Sequence, residues 1–351
     1  MYEYPRWIVF QLLEQCNLRC KMCYEWGENG SYFEKKDLKQ LDIEVVKRVI
    51  QECSVVNPYF ELFGGEPLLY PHIEEVLYEI NKANCKVDIP TNGTLLSQYT
   101  DILLKYPPKR IWVSIDGPEE YNDSQRGKGV FQKAINGVKK LHEEKLKRGS
   151  KYPEIGATMV VTPDNYLAIE QLFRNELNPE MFDWFSIEFQ LYITDDIYSK
   201  YRQLLKKEFN ISESLCAKGL VRNPDMFKTI DIDKLISQIN IIKKHCSENN
   251  INLIGYPKVI EADNLKSFYS AHWDKMAERK KHCSLPWVYA EISATGNVSN
   301  CHTFYDYSIG NINNNTMKEI WNGEEAKKYR KVIKKNMLPI CVACSRYYSD
   351  I

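Results

Sequence analysis

The stretch EQCNLRCKMCYEW places three cysteines within eight positions, at Cys16, Cys20 and Cys23. Closely spaced thiolates on one loop can hold several corners of an iron–sulfur cube. A zinc site wants four ligands, and the nearest histidine, His72, lies far along the chain. If a cube takes only three thiolates, one iron stays open to bind something else. An open coordination position marks a catalytic metal site rather than a structural one.

A second group lies near the other end. Cys283 leads to Cys301 in the pattern C-x12-G-x4-C, with Gly296 as the glycine, and Cys341-x2-Cys344 follows. A hairpin carrying two thiolates and a later pair could close a cube completely, or equally hold a four-cysteine zinc. The remaining cysteines, Cys53, Cys85, Cys216 and Cys246, stand alone.

These residues need a scaffold. The 351 residues are enough for about two domains. Lys plus Arg and Asp plus Glu are both 47, so the formal net charge is zero and no basic footprint for nucleic acid is visible. No apolar run approaches a membrane span, and the start, MYEYPRWIVFQLL, does not read as a signal peptide. The expected compartment is the cytoplasm. Eleven cysteines, an odd number, argue for metal or catalytic thiols there rather than a disulfide framework.

From Trp7 to about Tyr192, short apolar runs (WIVFQLL, YFELFG, CKVDIPT, RIWVSID, IGATMVVT, WFSIEFQLY) alternate with helical spacing. Strand–helix alternation argues an α/β fold with a parallel sheet and right-handed crossovers. Six repeats are too few for a closed eight-strand barrel, so a partial, TIM-like (β/α)6 barrel is expected. Chemistry then belongs at the C-terminal ends of the strands. The expected divisions are 1–198 for this barrel, 199–282 for a mostly helical bridge with one strand-like run, INLIGYP, and 283–351 for a small cysteine-bearing domain.

The first cysteine group resembles the hallmark of the radical S-adenosylmethionine (SAM) enzymes, C-x3-C-x-Φ-C after the first strand, with Met22 in the usually aromatic place. The resemblance implies that SAM chelates the open iron, that an electron splits its sulfonium, and that a 5′-deoxyadenosyl radical then takes a hydrogen from substrate. FGGEP after the second strand (Gly64, Gly65, Glu66, Pro67) resembles the motif that holds the SAM amino group. Asn92 in PTNGTLL resembles a position near SAM. SIDGPEEYNDSQRG resembles the segment that binds the SAM carboxylate and ribose, through Ser114 and Arg126; Asp116 reads equally as a cofactor contact or a turn residue. MVVTPDN lies where adenine should rest. The second cysteine group, with its intervening GNI…EIW, is similar to the SPASM/Twitch extension. The short tail after Cys344 suggests the Twitch form, a β-hairpin/helix domain with one auxiliary cluster. Two [4Fe–4S] clusters and SAM are therefore the implied cofactors, with an external electron donor such as flavodoxin or ferredoxin.

A fully ligated second cluster suits electron transfer, and so a net two-electron oxidation of a small metabolite or a peptide. Epimerisation and cross-link or thioether formation in a peptide are the alternatives; a non-catalytic iron–sulfur electron carrier is the rival of another class. Epimerisation needs a hydrogen donor, for which Cys216 is the candidate. The leader-gripping domain of many peptide-modifying relatives is expected to be absent, since the first strand starts at about Trp7. Glu188, Tyr192 and Asp195, around the end of the sixth strand, are candidate substrate contacts or proton acceptors; a salt-bridged barrel interior is an equal reading for Glu188.

Overall fold

Residues Trp7–Gln11 form β1, which pairs in parallel with β2 (Tyr59–Phe63), setting Trp7 opposite Tyr59 and Gln11 opposite Phe63. The structure is a computed structural model describing residues 2–277 and 281–348; the outer parts of the expected bridge and terminal domain, 278–280 and 349–351, fall outside it. Parallel pairing continues through β3 (Lys86–Thr91), β4 (Arg110–Ser114), β5 (Glu154–Val161) and β6 (Trp184–Phe189). Helices α1 (Ile43–Cys53), α2 (Ile73–Lys82), α3 (Leu96–Lys105), α4 (Glu119–Arg126) and α5 (Val130–Lys147) form the first crossovers. Asp42 caps α1 by accepting from the Glu44 amide. The crossover after β5, expected as an ordinary helix, winds as a π-helix over Gln171–Glu176. The chain is thus a mixed α/β fold with a central sheet and flanking helices.

Successive strand residues point to opposite faces. One face, with Ile8, Phe10, Phe60, Leu62, Val87, Ile89, Ile111 and Val113, is fully buried against the helices. The other carries Gln11, Glu61, Asp88, Trp112, Ser114 and Glu188. A parallel sheet covered by helices on both faces reads as continuous apolar runs. The polar alternate positions mark the other face, from which Ser114 and Glu188 line the cleft.

The later segments join the same sheet. After α6 (Asp195–Phe209), α7 (Leu215–Lys218) and α8 (Ile232–Glu248), the INLIGYP run forms β7 (Asn252–Tyr256), which adds in parallel to β6; α9 (Ala262–Tyr269) follows. β8 (Tyr289–Ile292) adds in parallel to the opposite edge, beside β1, and carries the antiparallel β9 (Asn297–Ser299) and β10 (Gly310–Asn311). The order is β10-β9-β8-β1-β2-β3-β4-β5-β6-β7, an open ten-stranded sheet. One sheet therefore runs through all three expected segments. The hairpin turn needs Gly296 at φ +83, where a Cβ would sit 2.4 Å from Asn313 Nδ2. α10 (Met317–Asn322) and α11 (Glu324–Lys335) follow, and the Glu52 carboxylate of α1 accepts from the Met317 and Lys318 amides at 3.0 and 2.9 Å. A carboxylate on a helix N-terminus is favourable, and this one pins the start of α10 to α1.

Candidate functional site

Beyond the C-terminal ends of the strands lies a cleft of about 280 Å3. Cys16, Cys20 and Cys23 line it together with Met22, Gly64–Pro67, Asn92, Ser114, Arg126 and Glu188. The loop carrying the three thiols is fixed from several sides. Arg19 donates to the Cys16 and Leu18 carbonyls at 2.9 and 2.7 Å and stacks on Trp26 at 4.2 Å. The Asn92 amide nitrogen donates to Asn17 Oδ1 at 2.9 Å, and Asn17 donates to Thr94 Oγ1 at 2.9 Å. Asn17 was not singled out in the sequence, because an asparagine between two cysteines carries no signal of its own.

The glycines of FGGEP serve this loop directly. The amides of Gly65 and Glu66 donate to the carbonyls of Leu13 and Gln15 at 2.9 and 3.0 Å. A Cβ on Gly65 would lie 2.2 Å from Gln15 O. The close approach is between the turn and the chain leading into Cys16. Gly65→Ala should therefore cost about 1–3 kcal/mol of strain and speed iron loss from this site to a chelator; unchanged urea unfolding and iron retention would refute the fit. Glu66 is buried, and its carboxylate accepts from the Leu68 amide (3.1 Å), Thr91 Oγ1 (2.7 Å) and the Asn92 amide (2.8 Å). It ties the ends of β2 and β3 together across the cleft floor.

Arg126 is buried and donates from Nε to Asp116 Oδ2 at 2.6 Å, with NH1 3.9 Å from Cys20 Sγ. Burial opposes its charge, but Asp116 and the cysteines more than offset this and hold its pKa above the ordinary value. Burial pushes Cys16 up to about 12 and Cys23 up to about 11, and it also raises Cys20, which Arg126 partly counteracts. The Leu18 amide donates to Cys16 Sγ at 3.4 Å and the Trp26 amide to Cys23 Sγ at 3.2 Å. Grouped thiols, amide donors aimed at sulfur and an adjacent guanidinium suit an iron–sulfur cluster, whose binding releases the thiol protons.

The second group also converges. Cys283, Cys301, Cys341 and Cys344 line one small cavity of about 30 Å3, walled by Phe304, Tyr329, Ile333 and Arg346. Burial, then Cys344, pushes Cys301 up to about 12. The Phe304 amide donates to Cys301 Sγ at 3.4 Å. The four thiols share this cavity, a donor set that either a [4Fe–4S] cluster or a zinc ion could use.

The radical SAM superfamily profile matches residues 11–174, and the profile of the SPASM iron–sulfur cluster-binding domain matches residues 283–345. The chain carries a radical SAM domain followed by a SPASM-type auxiliary domain. It is 23% identical to the tungsten-containing aldehyde ferredoxin oxidoreductase cofactor-modifying protein of Pyrococcus furiosus, over 97% of this chain and 87% of that one. It is 33% identical to the AdoMet-dependent heme synthase of Methanosarcina barkeri, over 41% of each chain. In fold it resembles SuiB of Streptococcus suis bound to S-adenosylmethionine, with a TM-score of 0.63 at 16% identity, covering 92% of this chain and 66% of that one. It also resembles anSMEcpe with bound AdoMet, at 0.62 and 18%, covering 98% and 90%.

Within this radical SAM chain, four expected site residues lie elsewhere than the cleft. Asp116 is fully buried beneath it, accepting from Arg126 and from the Val160 amide at 2.8 Å, so it positions Arg126. Tyr192 is packed among Phe227, Phe268 and Trp273, and its hydroxyl donates to Phe268 O at 2.7 Å. β6 ends at Phe189, so alternation no longer sets where Tyr192 points; Gln190 and Leu191 line the cleft in its place. Asp195 is exposed on the first turn of α6 behind the Thr194 cap, where its charge favours the helix N-terminus. Cys216 is buried on α7, 3.1 Å from Asp306 Oδ2 and 3.6 Å from Ser214 Oγ. Glu25, which lines the cleft and accepts from Tyr305 at 3.3 Å, was not foreseen; burial, reinforced by Glu291, pushes it up to about 8.

Proposed function

We propose that this protein is a radical SAM oxidoreductase that removes two electrons from a small metabolite or a peptide bound in the cleft. When bound, the cube would supply the electron for reductive cleavage of SAM, with an external donor such as flavodoxin or ferredoxin as its source. Cys16, Cys20 and Cys23 would hold that cube; Cys283, Cys301, Cys341 and Cys344 would hold the electron-accepting one. Asn92, Ser114 and Arg126 offer polar groups to SAM, and Met22 an apolar surface to its base. Glu188, which lines the same cleft as the three thiols, would take the substrate proton. The observation that carries the reading is the division of seven thiols into three lining an open cleft and four ringing a separate small cavity. Oxidation is favoured over epimerisation because Cys216 is buried, lies 3.1 Å from Asp306 Oδ2 and does not itself line the cleft. The near-full-length likeness to a cofactor-modifying protein supports a small-molecule substrate.

Oxygen-free, reduced protein mixed with SAM should release 5′-deoxyadenosine even without substrate. An electron carrier would release none, and that result would sink the proposal.

A further inference from the structure

The sheet ends in two unlike edges. At one, β10 is only two residues long. At the other, β7 runs for five residues, NLIGY, with no charge or proline among them, and none of the five is buried. Edge strands that must stay unpaired are usually charged, kinked or covered; this one is not. The Asn252 amide donates to Asp183 O, just before β6, at 3.1 Å. By alternation Asn252, Ile254 and Tyr256 turn their backbone groups to β6, and Leu253 and Gly255 turn theirs away from the sheet. Among the described residues no strand pairs with β7 on that outer side.

Beside this edge lies a groove of about 430 Å3, lined by Ile187 and Phe189 of β6, Leu253 and Gly255 of β7 and Ile239 of α8. Gly255 keeps it open: a Cβ there would meet only Ile187 O, at 3.4 Å. Glycine inside a strand often marks a place where another backbone comes close. The charged side chains lining the groove are Lys243 of α8 and Lys258 just past β7, both exposed, and among the described residues no carboxylate lines it. Phe189 also lines the cleft that holds the first three cysteines, so groove and cleft share a wall.

We propose that β7 is a docking edge for an extended, acidic segment of a polypeptide partner, which adds to the sheet as a further strand beside the cleft. The outward backbone groups of Leu253 and Gly255 take the partner's main chain. Its alternate side chains face α8, where aliphatic ones enter the groove and flanking carboxylates meet the two lysines at the rim. In this mode main-chain bonds supply affinity and pockets for alternate side chains supply selectivity.

A second copy of the chain suits the edge less well. Two-fold pairing of β7 with itself sets the lysine-lined groove of each copy against the other's, and like charges across a seam repel. The docking does not depend on what fills the cleft, so its failure leaves the SAM reading intact.

The test uses three end-blocked, fluorescent peptides on the full, reconstituted chain: EEVTVEE, its lysine counterpart KKVTVKK, and EEPTPEE, whose prolines break strand pairing. Binding is followed by anisotropy, and hydrogen exchange is read over residues 252–256. EEVTVEE should bind and slow exchange there, and the other two should bind about tenfold more weakly or worse, as lost main-chain bonds or reversed charge imply. Gly255→Val fills the groove where a Cβ is accepted. It should leave urea unfolding and 5′-deoxyadenosine release unchanged while weakening EEVTVEE about tenfold. Lys243→Glu, at an exposed position, should move the preference toward KKVTVKK, and it decides the matter if Gly255→Val does not fold. Exchange over 252–256 that ignores EEVTVEE, or binding indifferent to these substitutions, overturns the inference. Protection of that segment that grows with protein concentration in the absence of peptide gives the edge to a second copy, and overturns it as well.

Discussion

Replacing Cys16, Cys20 and Cys23 together by alanine is expected to halve the iron of reconstituted protein, from about eight atoms to about four, and to bring 5′-deoxyadenosine release down to background. The three thiols line the open cleft, whereas Cys283, Cys301, Cys341 and Cys344 ring another cavity and make no contribution to the first. The four remaining irons should keep their own reduced-state spectrum and ignore added SAM. In the metal-free chain burial raises the pKa of all three thiols, so alanine in their place strands no charge. The fold should survive, and circular dichroism would check it. Iron remaining near eight would show that other residues complete the first site.

The second large effect concerns stability. Arg126 and Asp116 form a pair in which the carboxylate side chain is fully buried and the guanidinium is 10% exposed, at 2.6 Å. Removing one partner of a buried pair strands the other charge and costs about 3–5 kcal/mol. Arg126→Met should lose that much in urea unfolding. Adding Asp116→Asn should recover part of it, because the stranded charge is gone. The recovery will be incomplete, since Asp116 Oδ1 also accepts from the Val160 amide and so holds β5 in place. A loss below about 1 kcal/mol would mean that water reaches the pair freely.

Much of the site was legible because its chemistry is written locally. The cysteine spacings, FGGEP and the motifs after β3 and β4 each occupy a few consecutive residues after a strand, where parallel α/β sheets place their chemistry. What was lost needed distant partners. Asp116 sits within a motif, but its side chain turns inward because Arg126 and the Val160 amide take both oxygens. Tyr192 was misplaced by extending strand alternation past Phe189, where the strand stops. Asp195 had a readable counter-signal: Thr194 followed by two aspartates is a helix start. Arg346 was invisible, since its position depends on β8 finding β1 from the opposite end of the chain. The same pairing turns what read as a separate terminal module into the sheet's next strands.

That pairing bears on how the protein is made. β1 is made well before β8, its partner on that side, so Trp7–Gln11 waits with one flank unclaimed until Tyr289–Ile292 has been made. An open row of strand amides and carbonyls is a template for wrong partners. A nascent chain stalled or clipped before Tyr289 would keep that flank open to pairing with its neighbours.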